Sequence, residues 1–160
     1  MQFNNEDMRN HRTVALVATD EGFPQYKFGP SRYLFSINLK HRMVTFPIGK
    51  CHPNEGLADG LIRETLEELG LKLNTNDITK EPCCSFTKIY DFTGTPVEIE
   101  TNLFRIKGGD GDWICRRAVN REPDKCGGIF IATLDDAINI AKSTGLQIAD
   151  CVTFYRQSQL

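Results

Sequence analysis

Three glutamates, Glu64, Glu67 and Glu68, fall within five residues in the run Arg63-Glu64-Thr65-Leu66-Glu67-Glu68-Leu69-Gly70. On an α-helix their spacing of i, i+3 and i+4 puts all three on one face. Like charges so placed cost a helix about 0.2–0.5 kcal/mol per pair, and a face that only needs solvation alternates its signs instead. Three carboxylates along one ridge supply the hard oxygen donors that Mg²⁺ takes together with water and phosphate oxygens. The plainer alternative is the wet side of an amphipathic helix. Leu57, Leu61, Ile62, Thr65, Leu66 and Leu69 supply the less polar side of such a helix, predicted from Gly56 or Leu57 to Leu69 with Gly70 as its stop. Gly60 inside it costs about 1 kcal/mol relative to Ala, which points to close packing against a sheet beneath. Arg63 has two readings. One is a surface pair with Asp59 at i, i+4, worth a few tenths of a kcal/mol; the other is a bidentate contact that orients a carboxylate of the ridge.

The longer stretch from Gly49 to Leu71 reads GKCHPNEGLADGLIRETLEELGL. It resembles the box of the Nudix hydrolase family, G-x5-E-x7-R-E-U-x-E-E-x-G-U, where U is a bulky aliphatic residue. Gly49, Glu55, Arg63, Glu64, Glu67, Glu68, Gly70 and Leu71 fall in register, and Thr65 replaces the first U. Members often carry glycine where this chain has Ile48 and Asn54; asparagine tolerates left-handed φ better than most residues. Seven fixed positions match by chance at ~10⁻⁸ per window, so the resemblance outweighs the plain amphipathic reading.

The resemblance implies an α/β fold, a Nudix-like α/β/α sandwich with a mixed β-sheet between helices, as one domain over residues 1–160. It implies hydrolysis of a diphosphate that links a nucleoside to a moiety X: ADP-ribose, a dinucleoside polyphosphate, a nucleotide sugar or a nucleoside triphosphate. Mg²⁺ or Mn²⁺ is the implied cofactor, held by Glu64, Glu67, Glu68 and the Gly49 carbonyl. Arg63 orients a box carboxylate. Glu64 or an acid from a later loop is the general base, and Glu55 secures the loop-helix junction or assists the metal. Of the later acids Glu98, Glu100, Glu122 and Asp124, the family commonly uses one in the loop before the last strand, so Glu122 or Asp124. The implied catalytic set is Glu64, Arg63, Glu67 and Glu122, and the implied substrate contacts are Lys50, His52 and Trp113. Phe23, Tyr26 and Phe28 are further loop aromatics on which a base could stack. A dimer is an assembly common in the family. Two other readings share the fold. One is a non-catalytic nucleotide-sensing or interaction module, whose members typically lose box glutamates that this chain keeps. The other is an RNA-cap hydrolase, for which Arg116, Arg117 and Arg121 are the local basic cluster.

These groups need a scaffold, and the 160 residues are 40% hydrophobic and 25% charged, enough for one folded domain with a core. A formal net charge of −2 offers no basic field for a nucleic-acid backbone. No apolar run reaches the ~20 residues that span a bilayer, and the polar start MQFNNEDMRNHR has no apolar segment of an export signal. The six cysteines form no C-x-x-C pair and read as reduced cytoplasmic thiols; Cys83 and Cys84, in a strand-like run, are expected on opposite faces.

Met1 to Arg12 reads as a lead-in. Thr13–Thr19 reads as a strand buried on both faces, Phe23–Pro30 as a loop, and Tyr33–Leu39 and Met43–Phe46 as strands. Pro47–Lys50 is expected as a loop entering the site. After the box helix, Cys84–Asp91 and Val97–Ile106 predict a hairpin about the turn Thr93–Pro96, and Gly108–Asp112 a loop. Trp113–Lys125 carries no clear pattern. Ile129–Ala132 reads as a strand and Leu134–Ser143 as a helix capped by Thr133 and stopped by Gly145. Gln147–Gln157 is expected as a last helix.

Overall fold

The computed structural model describes residues 11–19, 30–91, 94–106 and 111–159, with the backbone alone at 111–113. Arg12–Val17 forms β1, Arg32–Asn38 β2, Met43–Thr45 β3, Ile48–Lys50 β4 and Leu57–Leu69 α1. Cys84–Tyr90 is β5, Val97–Arg105 β6, Gly111–Arg117 α2, Cys126–Thr133 β7, Leu134–Thr144 α3, Gln147–Ile148 β8 and Asp150–Ser158 α4.

The apolar density of β1 predicts burial on both faces, and that is what the strand does. Val14, Leu16 and Ala18 enter one hydrophobic cluster, with Leu34, Leu61, Leu69 and Phe104. Ala15 and Val17 enter a second, with Phe35, Phe46, Leu103 and Tyr155. Alternation along a strand makes this split automatic. Ile114 and Cys115 of α2 pack with α1 in the first cluster, and Ala137 and Ala141 of α3 join Cys151 and Val152 of α4 in the second. Helices therefore cover both sides of the strands, the layering expected of an α/β/α sandwich.

The mixed class holds, but the strands divide between two sheets rather than forming one. The first runs β4-β1-β6-β5 and the second β7-β2-β3-β8. Each mixes directions: β1 is antiparallel to β4 and parallel to β6, while β2 is antiparallel to β3 and β7, and β3 is parallel to β8. The sheets join where Leu34 N–H donates to Ala18 O at 3.0 Å and Leu16 N–H to Pro47 O at 2.9 Å. The β5–β6 hairpin forms in the register Tyr90↔Val97 to Cys84↔Leu103.

Several local expectations change. Arg12 opens β1 rather than closing a lead-in. Ile48–Lys50 is strand, not loop, because its main chain completes the edge of β1. Gly111–Arg117 is a short helix, so Gly111 and Asp112 are not loop as expected, and the helix runs on into the stretch from Trp113 that carried no pattern. The last helix starts only at Asp150; Gln147 and Ile148 pair instead with Met43 and Val44. Cys83 lies just before β5, outside the pleat that would separate it from Cys84, and the two sulfurs are 4.0 Å apart. Thr133 caps α3, accepting from Asp136 N–H at 3.1 Å, and Gly145 ends it with φ 73°. Among the described residues, no helix is long and apolar enough to cross a membrane. Phe23, Tyr26, Phe28 and the Gly108–Asp110 part of the loop lie outside the described residues.

Candidate active site

Helix α1 buries Gly60, Leu61, Thr65 and Leu69, which turns the glutamate ridge outward. Gly70 closes it with φ 71°, donating its N–H to Leu66 O. Two glycines set the spacing around the ridge. A Cβ on Gly60 would lie 2.6 Å from Cys51 Sγ and 3.1 Å from Glu55 Oε1, so the close neighbour is the loop after β4 rather than a sheet. A Cβ on Gly49 would overlap the carboxylate of Glu64.

Arg63 is the hub. Its Nε and Nη2 fork onto Glu55 Oε2 and Oε1, both at 2.9 Å. Its Nη1 reaches Glu64 Oε1 at 2.9 Å and Glu67 Oε2 at 3.2 Å, and Nη2 also donates to Lys50 O at 2.9 Å. The geometry thus selects the orienting role over the Asp59 surface pair. The Arg63 guanidinium, with the His52 N–H donating to Glu55 Oε1 at 3.1 Å, holds the Glu55 carboxyl down at about 2. Arg63 in turn is pushed above its ordinary value, first by its hydrogen bonds to Glu55 and then by those to Glu64.

Glu68 faces the other way. The chain after α2 folds back over the end of α1, with Val119 N–H donating to Leu69 O at 3.1 Å and Arg121 N–H to Glu68 O at 3.0 Å. Those bonds satisfy helix-terminal carbonyls and deliver Glu122 to the ridge. Asn120 pins the turn, accepting from Glu122 N–H at 3.1 Å and donating to Cys126 O at 2.9 Å. Glu68 and Glu122 line one cavity of about 150 Å³ with Asn38, Thr45, Ile48 and Lys125, and Lys125 Nζ lies 3.5 Å from Glu122. Burial, then the charge and hydrogen bond of Glu64, then the charges of Glu122 and Glu67, push Glu68 up to about 9. Carboxylates so crowded keep a proton unless a cation replaces it.

The donor chemistry suits a hard divalent cation: the carboxylates of Glu64, Glu67, Glu68 and Glu122, beside the Gly49 main chain packed on Glu64. Among the described residues no three acidic, His or Cys side chains already surround one point, because Arg63 draws Glu64 and Glu67 to itself. Of the other expected residues, Asp124 and Glu98 are exposed, and neither they nor Glu100 line this cavity. Lys50 and His52 are also exposed and meet the site through their main chains. Trp113 lies in α2, and its side chain is outside the described part.

Sequence reasoning missed a second cavity, of about 230 Å³, on the far side of Ile48. Met43, Phe86, Tyr90 and Ile99 give it apolar walls, and Asn38, His41, Thr45 and Asp150 give it polar points. Tyr90 OH donates to Asp150 Oδ2 at 2.7 Å and Lys88 Nζ to the same oxygen at 3.0 Å, which fixes that carboxylate at the rim. Asn38, Thr45 and Ile48 line both cavities, so the two adjoin. The alternation of β5 was the available signal: Phe86 and Tyr90 share a face, but nothing local says what that face meets.

No protein-family model matches the chain, and no curated protein matches it in sequence. Solved structures do match. A C. elegans Ap4A hydrolase superposes with a TM-score of 0.53 at 22% identity, over 82% of this chain and 86% of that one. A MutT NUDIX hydrolase from Burkholderia pseudomallei gives 0.57 at 18%, over 78% and 84%. The E. coli dihydroneopterin triphosphate pyrophosphohydrolase gives 0.59 at 12%, over 80% and 84%. Likeness at these identities is likeness of architecture, and by it this chain has the fold of the Nudix hydrolases.

Proposed function

We propose that the chain is a Nudix hydrolase that cleaves the diphosphate of a small nucleotide, a nucleoside diphosphate joined to a moiety X, with Mg²⁺ or Mn²⁺ held by Glu64, Glu67, Glu68 and the Gly49 carbonyl. One observation carries it: Glu68, next along the helix to the Arg63-held Glu64 and Glu67, lines a cavity with Glu122, and that cavity adjoins a more apolar one at Asn38, Thr45 and Ile48. A bound cation supplies neutralisation of phosphate charge and a lowered pKa for the attacking water.

The chain's own groups divide the remaining work. Arg63 anchors one oxygen of Glu64 and one of Glu67, which keeps the two carboxylates side by side on the ridge. Glu68 would have to give up its proton to serve as a ligand, and Glu122 lines the same cavity. Glu64 or Glu122 serves as the base. The apolar cavity takes the ring of the base, with Asn38 and Asp150 as its polar readers. The solved structures of like fold include hydrolases of Ap4A and of dihydroneopterin triphosphate, both ring systems carrying a phosphate chain. The six cysteines form no disulfide with one another, which accords with the cytoplasmic setting expected of them.

The test is phosphate-coupled hydrolysis of a nucleotide panel with Mg²⁺, Mn²⁺ or EDTA, beside Glu68→Gln. Metal-dependent cleavage, absent in the variant, is the expected result and names X. A protein that binds intact nucleotide with metal and cleaves none of the panel would overturn the hydrolase reading in favour of a sensing module.

A further inference from the structure

Arg12 lies outside the box, 51 positions before Arg63, yet its guanidinium sits on the box loop. Its Nη2 donates to Glu55 O at 2.7 Å, to His52 O at 3.0 Å and, more weakly, to Pro53 O at 3.4 Å. All three acceptors are main-chain oxygens of one tight turn. That turn is closed by Glu55 N–H donating to His52 O at 3.1 Å. The main chain of Arg12 holds the same segment from its other end, accepting from Cys51 N–H at 2.8 Å.

The turn needs an outside anchor. Helix α1, which it enters, begins at Leu57 with Gly56 as N-cap and no side-chain cap, so the helix start adds no cap bond to hold the turn. Where the turn lies decides where the Glu55 carboxylate lies, and both oxygens of that carboxylate hold the Arg63 fork. The other edge of the same fork holds Glu64 and Glu67. A shift of the turn is therefore passed on to the ridge, through the bidentate Glu55–Arg63 contact and then the Nη1 bonds to Glu64 and Glu67. Misplacement by about 1 Å remote from the chemistry can cost on the order of 100-fold in rate.

We infer that Arg12 is a positioning residue for the reaction: its guanidinium clamps the 52–55 turn and, through Glu55 and Arg63, sets the placement of Glu64 and Glu67. The inference rests on the hydrolase reading above. All three contacts are made by Nη2, which stands one bond farther from the main chain than a lysine ammonium, so lysine falls short of the turn. It touches neither cavity, so its loss leaves the seat of the base intact.

The experiment compares wild type with Arg12→Ala and Arg12→Lys. It reads kcat and KM on the nucleotide that wild type cleaves, and amide hydrogen exchange over residues 51–57. Arg12→Ala is expected to lower kcat at least tenfold with KM within about twofold, and to speed exchange in 51–57 while β6 stays protected. Arg12→Lys falls between, and millimolar guanidinium restores part of the kcat of Arg12→Ala. Should Arg12→Ala fail to fold, Arg12→Lys alone decides, by reduced kcat and faster exchange in 51–57. Wild-type kcat in a folded variant, or unchanged exchange, overturns the proposal. A wild-type protein inactive on the whole panel defeats the hydrolase reading instead, while the clamp is still judged by exchange and by movement of the Arg63 Nε–H resonance.

Discussion

On one side of Ile48 the cavity takes Glu68 from α1 and Glu122 from the turn before β7; on the other it takes Met43 from β3, Phe86 and Tyr90 from β5, Ile99 from β6 and Asp150 from α4. The acidic side is organised by charge. One guanidinium reaches three carboxylates, and a fourth, Glu68, is raised to about 9 by burial first and then by Glu64, Glu122 and Glu67. The apolar side is organised by packing, with Phe86 against Phe154 at 4.7 Å between ring centres and a single fixed carboxylate at the rim. Chemistry at the first and recognition at the second is the division that this contrast suggests, and substitutions on either side of Ile48 should break turnover and affinity separately.

The largest effect belongs to the ridge. Glu67→Gln or Glu68→Gln should lower kcat at least 100-fold, which is about 2.7 kcal/mol of transition-state stabilisation. Circular dichroism should show the fold unchanged, since Glu67 is exposed and Glu68 already holds a proton without metal. Full turnover in both variants would remove the ridge from the chemistry.

Gly49→Ala comes next. The added methyl meets the end of a flexible side chain, so the fold can yield while Glu64 moves off its place. A loss of roughly tenfold in kcat is expected from that displacement, with a small change in melting temperature. A variant as active as wild type would show that Glu64 works equally well elsewhere.

Phe86→Ala tests the other side. Removing one wall of the apolar cavity should raise KM by about tenfold, near 1.4 kcal/mol, with kcat within a few-fold. A fall in kcat at constant KM would mean that the cavity positions the reacting end and does not merely seat the base.

The same contrast explains what could be read in advance. The ridge, its helix and the glycine at its end are one continuous stretch, and a period of 3.6 puts its glutamates together whatever the rest of the chain does. Arg63 was legible as an orienting residue because its partners are near in sequence. Glu122 was reachable only through family resemblance; its placement depends on Val119 and Arg121 N–H bonds to the end of α1, which no pattern encodes. Arg12 gave no sign, since a lone arginine opening a strand looks like any surface cation. The apolar cavity draws on β1, β2, β3, β4, β5, β6 and α4, so only the assembled sheets reveal it. The division into two sheets was hidden for the same reason: β1 and β2 each serve two cores, and an apolar run says that both faces are buried without saying what lies over them.

The smallest effect separates the scaffold of the ridge from its chemistry. Glu55 is held at about 2, below the ordinary 4.5, by Arg63 and the His52 N–H. A carboxyl lowered in the folded state lends stability that is fully present above the unfolded value and is lost as pH falls through the folded one. The melting temperature of wild type should therefore drop across about pH 4.5 to 2 more than that of Glu55→Gln, which lacks this proton uptake. At neutral pH the variant should melt only about 2–4 °C lower, because a partly exposed pair contributes little. Asp150, fixed by Lys88 and Tyr90 at the rim of the other cavity, supplies the internal control: Asp150→Asn should change base preference and leave the acid limb nearly as it was. Parallel acid limbs for wild type and Glu55→Gln would show that the Arg63–Glu55 fork does not persist in solution, and with it would go the route by which Arg12 reaches the ridge.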